Sequence, residues 1–128
     1  MARILIVDDE VQIRMLLRAL LQQEGYVVEE APNGEGALKI MRENPVDLVI
    51  MDLLMPNKEG IEKIRELKKD FPGLSIIAIS GGGRLGPNTY LKMARGMGAM
   101  RTFTKPIPEN ELLKAVRDIL NPATQNKS

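Results

Sequence analysis

The 128-residue chain contains no cysteine and no histidine. Without cysteine, disulfides and thiolate chemistry are excluded. Without histidine, any imidazole chemistry has to come from a partner. Long apolar runs are missing too. No uninterrupted stretch could span a bilayer, so membrane insertion is not expected. Nor does one sign of charge dominate: 18 Lys and Arg stand against 17 Asp and Glu, a net charge of +1. No general pull toward nucleic acid or anionic membrane follows, and direct nucleic-acid binding is not expected. The N-terminus passes from Ala2-Arg3 straight into an apolar run, without the layout of a signal peptide. A cytoplasmic location is the expectation.

What is present suits one globular domain, with 44% hydrophobic and 27% charged residues. Short apolar runs alternate with helical patterns from end to end. Ile4 to Val7 reads as a strand that ends in Asp8-Asp9-Glu10, where Asp9 or Glu10 can open a helix. That helix carries Ile13, Leu16, Leu17 and Leu20 and stops at Gly25. Tyr26 to Glu30 is the second strand. A second helix with Ala37, Leu38 and Met41 ends before Pro45. The stretch from Val46 to Pro56 has a nearly continuous apolar middle, the mark of a strand buried on both faces, and Pro56 forces the chain out of the sheet near Asp52.

A third helix presents Ile61, Ile64 and Leu67, with its charge run on a solvated face. Ser75 to Ile79 is a strand ending at Ser80, followed by Gly81-Gly82-Gly83, a mobile loop and not a phosphate-binding P-loop. A weaker helix over 87–96 precedes a strand around Thr102 to Thr104 that ends at Lys105-Pro106. The last helix carries Leu112, Leu113, Val116, Ile119 and Leu120. Strand and helix in alternation predict a three-layer α/β domain on a parallel sheet over residues 1–120, with 121–128 a short polar tail.

Polar residues collect at the predicted strand ends: Asp8 and Asp9, Asp52, Ser80 and Lys105. In a parallel sheet these ends share one edge, where ligands bind. Three crowded carboxylates repel, so they should hold a cation or carry raised pKa values. All-oxygen donors without His or Cys suit Mg²⁺. A carboxylate beside Mg²⁺ can act as a nucleophile toward phosphorus, and a lysine and a hydroxyl nearby can meet the phosphoryl oxygens.

With Ile6-Val7-Asp8-Asp9, Met51-Asp52-Leu53-Leu54-Met55-Pro56 followed by Gly60, Ile79-Ser80-Gly81 and Thr104-Lys105-Pro106 in this order, the chain resembles the response-regulator receiver domains of two-component signalling, in their stand-alone, CheY-like form. The resemblance covers residues 2 to 120. It implies a flavodoxin-like (βα)5 fold of strand order 2-1-3-4-5. It implies that Asp52 accepts a phosphoryl group from a histidine kinase or a histidine phosphotransfer protein. Mg²⁺ would be held by Asp9, Asp52 and the Leu54 carbonyl, with Asp8 acting largely through water. Ser80 and Lys105 would bind the phosphoryl oxygens, switching a surface for a downstream target protein or a phosphorylation-dependent dimer. The resemblance implies no enzyme beyond self-phosphorylation and slow self-dephosphorylation, the latter because Leu54 and Gly82 offer no side chain to position water.

The family's usual aromatic three residues before the strand-end lysine is replaced by Thr102, and Phe103 falls one place later on the opposite side of the strand. Taken singly, the features have plainer explanations. Asp8 and Asp9 could cap a helix, Ser80 could sit in a turn, and Lys105 could lie exposed in a loop. Met93, Met97 and Met100 fit core filling and an adaptable partner surface equally well. Two alternative functions stand beside the receiver. A phosphohydrolase of the haloacid dehalogenase type also uses a strand-end Asp with Mg²⁺, but its second acid is replaced here by Leu54. A degenerate receiver acting by binding alone is opposed by the intact set of polar residues.

Overall fold

The apolar runs become five strands in a computed structural model that describes residues 2–53, 59–80, 92, 95, 96 and 98–121. In chain order the elements are β1 (Arg3–Val7), α1 (Val11–Gln23), β2 (Val27–Ala31), α2 (Gly34–Glu43), β3 (Leu48–Asp52), α3 (Glu59–Asp70), β4 (Ser75–Ser80), β5 (Arg101–Thr104) and α4 (Glu109–Leu120). All pairings are parallel and the sheet order is β2-β1-β3-β4-β5, the flavodoxin-like arrangement. Lys92, Arg95 and Gly96 have helical backbone, in keeping with the helix expected over 87–96. The rest of that segment, the Gly81-Gly82-Gly83 loop, Leu54, Met93 and Met97 lie outside the described residues.

Alternation along each strand divides the core into two layers. Leu5, Val7, Val49, Met51, Ile76 and Ala78 face one layer with Leu38 and Met41 of α2 and Ile61, Ile64 and Leu67 of α3. Ile4, Ile6, Leu48, Ile50, Ile77, Ile79 and Phe103 face the other, with Leu17 and Leu21 of α1 and Leu112, Ala115 and Val116 of α4. Every residue of β3 is buried, as its unbroken apolar character requires of a central strand. Burying each of its large aliphatic side chains contributes about 1.5–3 kcal/mol.

Two details differ from the sequence expectations. Leu16 is 40% exposed, whereas Leu17 and Leu21 are buried. The α1 stripe runs through 13, 17, 20 and 21, and one residue back from Leu17 is a turn of about 100° away from it. The second strand begins at Val27, because the Tyr26 N–H donates to the Leu21 carbonyl and belongs to the helix stop. Gly25 makes that stop at φ +92°, where a side chain would be strained. Glu10 opens α1 from the N-cap position as expected, without a capping hydrogen bond from its side chain.

Candidate functional site

The register brings the polar strand ends together. Val7 pairs with Met51, Asp52 with Ile79, and Ser80 with Thr104. Asp8, Asp52, Ser80 and Lys105 therefore follow one line across the carboxyl edge of β1, β3, β4 and β5. Main-chain bonds fasten that edge: Asp8 N donates to the Ala31 carbonyl at 3.2 Å, Leu53 N to Ile79 at 2.8 Å and Lys105 N to Ser80 at 2.8 Å. Asp8 and Asp52 are each 2% exposed and Ser80 is fully buried.

The Lys105 ammonium lies at the centre of the acids. Its Nζ is 3.2 Å from Glu10 Oε1, 3.4 Å from Asp52 Oδ2 and 3.5 Å from Asp8 Oδ2. Burial works against its charge, but Asp52, Asp8 and Glu10 together outweigh burial and hold its pKa above the usual lysine value. Asp8 is pushed the other way, to about 6 from 3.8. Burial is the main cause, and the charges of Asp52 and Glu10 add to it, while the Glu10 N–H and Lys105 resist. One lysine does not neutralise this many carboxylates.

Asp8, Asp9, Glu10 and Asp52 each offer an oxygen, and these four atoms lie within 4.8 Å of one another. Asp9 and Glu10 are exposed, so the cluster opens to solvent on one side. Such a set suits a hard cation that keeps part of its water, which describes Mg²⁺ better than Zn²⁺. The residues present therefore fit the metal that the sequence led us to expect. Ser80 Oγ is buried with no hydrogen-bond partner, a cost of about 1–3 kcal/mol unless an acceptor arrives.

Two contributors escaped the sequence reading. Arg14 donates through a terminal guanidinium nitrogen to the Asp8 carbonyl at 2.6 Å and through Nε to Glu30 at 3.1 Å. It thereby clamps the β1–α1 corner that carries the acids. Glu10 opens α1 through its main chain, as expected, and turns its carboxylate to Lys105. Helical spacing offered a sign of the first, since Arg14 follows Glu10 by one turn. No local pattern signals a contact between residues 95 positions apart. Phe103 points into the α1/α4 layer and Thr102 is half-buried on the other face, as the strand period predicts.

Known proteins share this arrangement across nearly the whole chain. The chemotaxis protein CheY of Halobacterium salinarum is 36% identical over 118 residues, covering 92% of this chain and 96% of that protein. The receiver domain protein (CheY-like) of Methanospirillum hungatei superposes with a TM-score of 0.87 at 28% identity, covering 98% of each chain. The response regulator TrrA of Thermotoga maritima, solved in complex with Mg²⁺ and beryllium fluoride, gives a TM-score of 0.80 at 35% identity, covering 93% of this chain and 99% of that one. Residues 4–117 match the model of the response regulator receiver domain. With the strand order and the carboxyl-edge polar set already in place, the chain belongs to the response-regulator receiver domain family.

Proposed function

We propose that Asp52 is the phosphoacceptor of this receiver and that Asp8, Asp9 and Asp52, with the Leu54 carbonyl, hold Mg²⁺. The observation that carries this is a 2%-exposed Asp52 whose carboxylate meets both Lys105, at 3.4 Å, and the four-acid group. The Mg²⁺–beryllium fluoride complex of TrrA supports a like pairing of metal and phosphoryl group here. When bound, Mg²⁺ supplies positive charge to phosphoryl oxygens. An Asp52 oxygen attacks phosphorus in line with the leaving group; the new O–P bond forms as the donor's bond to phosphorus breaks. Lys105 then pairs with a phosphoryl oxygen, and the Ser80 hydroxyl gains an acceptor. The donor is a histidine kinase or a histidine phosphotransfer protein, a reading supported by membership of the receiver domain family.

The functional unit is residues 1–120, with 121–128 a tail, acting in the cytoplasm on a downstream target protein. Turnover of other substrates is not part of this role. No helix among the described residues is long and apolar enough to cross a membrane.

Intact-mass measurement after incubation with a small phosphodonor and Mg²⁺ tests the assignment. The wild type should gain one phosphoryl group, whereas Asp52→Asn, or the wild type in chelator, should gain none. An adduct that persists on Asp52→Asn would refute it, and no adduct on the wild type would favour action by binding alone. Sizing the phosphorylated sample reads whether the output is a dimer.

A further inference from the structure

We infer that Glu10 is a resident stand-in for the phosphoryl group, holding Lys105 until an incoming anion displaces it. This rests on Lys105 being the phosphoryl-binding cation proposed above. An ammonium has three donors, and Lys105 has three carboxylates within ion-pair distance, Glu10, Asp52 and Asp8. A phosphoryl group on Asp52 takes over the Asp52 contact and brings further acceptor oxygens that compete for the other two places. Asp8 cannot give way: its side chain is 2% exposed and its Oδ1 accepts from Glu10 N at 2.8 Å. The Glu10 side chain is 56% exposed, and its approach to Lys105, at 3.2 Å, is the shortest of the three.

The position explains why the side chain is available. An N-cap residue usually turns a short side chain onto the first free N–H groups of its helix. Glu10 does not, and its contribution to the helix start is made by its main chain. Its carboxylate can therefore leave Lys105 without disturbing α1. Glu10 is thus a positioning residue that acts through Lys105. It sets how strongly an anion must bind to engage the lysine.

The test separates affinity for a phosphoryl mimic from affinity for the metal. Beryllium fluoride is titrated calorimetrically into Mg²⁺-saturated wild type and Glu10→Gln, and Mg²⁺ alone is titrated into both. Glu10→Gln should bind the mimic roughly two- to fivefold more tightly, the scale of a half-exposed ion pair. Its Mg²⁺ affinity should not rise. The gain in mimic affinity should shrink toward ~1 M salt, where the Debye length is about 3 Å.

Opposite signs are decisive, because a metal ligand or a merely structural residue would weaken mimic and Mg²⁺ together. Parallel weakening, or unchanged mimic affinity, overturns the inference while leaving the receiver assignment intact. Failure of the wild type to bind the mimic at all would remove both.

Discussion

The two edges of the sheet handle charge in opposite ways. At the amino edge, charges of opposite sign are paired nearly one to one, although the buried Arg3 Nε makes no hydrogen bond of its own among the described residues. Asp47 Oδ2 accepts from Arg3 N at 2.8 Å, Asp47 N returns a bond to the Arg3 carbonyl at 2.9 Å, and Arg3 reaches Glu29 at 3.3 Å. Lys68 donates to the carbonyls of Pro72 and Leu74, both at 2.9 Å, while its stem lies against Gly98, where a Cβ would come within 2.9 Å of it. At the carboxyl edge, three of four clustered acids share one lysine, and the buried Ser80 hydroxyl has no partner among the described residues. An excess of carboxylates over cations, in a fold whose other end pairs its charges, marks the edge that awaits a ligand.

Neutralising an acid at the carboxyl edge should therefore stabilise the metal-free protein, the reverse of most substitutions of buried polar residues. Asp8→Asn keeps an oxygen for the Glu10 N–H and removes one charge. Folded Asp8 holds its proton up to about pH 6, while an unperturbed carboxyl releases it near 3.8. The cost of ionising it is thus absent below 3.8 and complete above 6. Urea melts in chelator should show Asp8→Asn gaining up to about 3 kcal/mol above pH ~7, with the gain fading as the pH falls through that window. A loss of stability above pH ~7 would contradict the contrast between the edges.

Lys105→Ala should have the opposite sign and a smaller size. It removes the cation among the acids and should cost about 1–2 kcal/mol in the same melts, with part of the loss recovered by saturating Mg²⁺. It should also abolish the change in amide-exchange protection across 80–104 that phosphorylation produces in the wild type. An unaltered exchange response would separate Lys105 from the switch. The smallest effect belongs to the amino edge. Asp47→Ala loses the acceptor for Arg3 N and should cost about 0.5–1 kcal/mol at every pH between ~5 and ~8. Its gain in stability on adding Mg²⁺ should equal that of the wild type.

Much of this contrast was legible in the residue order. Strands broken by Asp8, Asp52, Ser80 and Lys105 could be read from composition alone, because a parallel sheet collects strand ends without regard to sequence distance. β3 was the plainest of them, an apolar run closed by an acid. What could not be read were choices made by side chains with more than one place to go. Glu10 could have capped its helix, and Arg14 could have lain in solvent. Leu16 and Leu17 are equally apolar, and only the angular position of the α1 stripe separates them.

The open sides of the sheet carry one more consequence. Among the described residues β2 pairs only with β1 and β5 only with β4, so each has an outer row of backbone groups that a strand from a second molecule could meet. β2 carries Glu29 and Glu30, tied to Arg3, Arg14 and Arg18, while β5 is four residues long and opens with Arg101, whose guanidinium lies 5.6 Å from the Phe103 ring centre. Short length and charge at these margins discourage edge-to-edge association. Margins of this kind resist permanent self-association, and apolar replacements at Glu29 or Arg101 would be felt first as turbidity in concentrated solution.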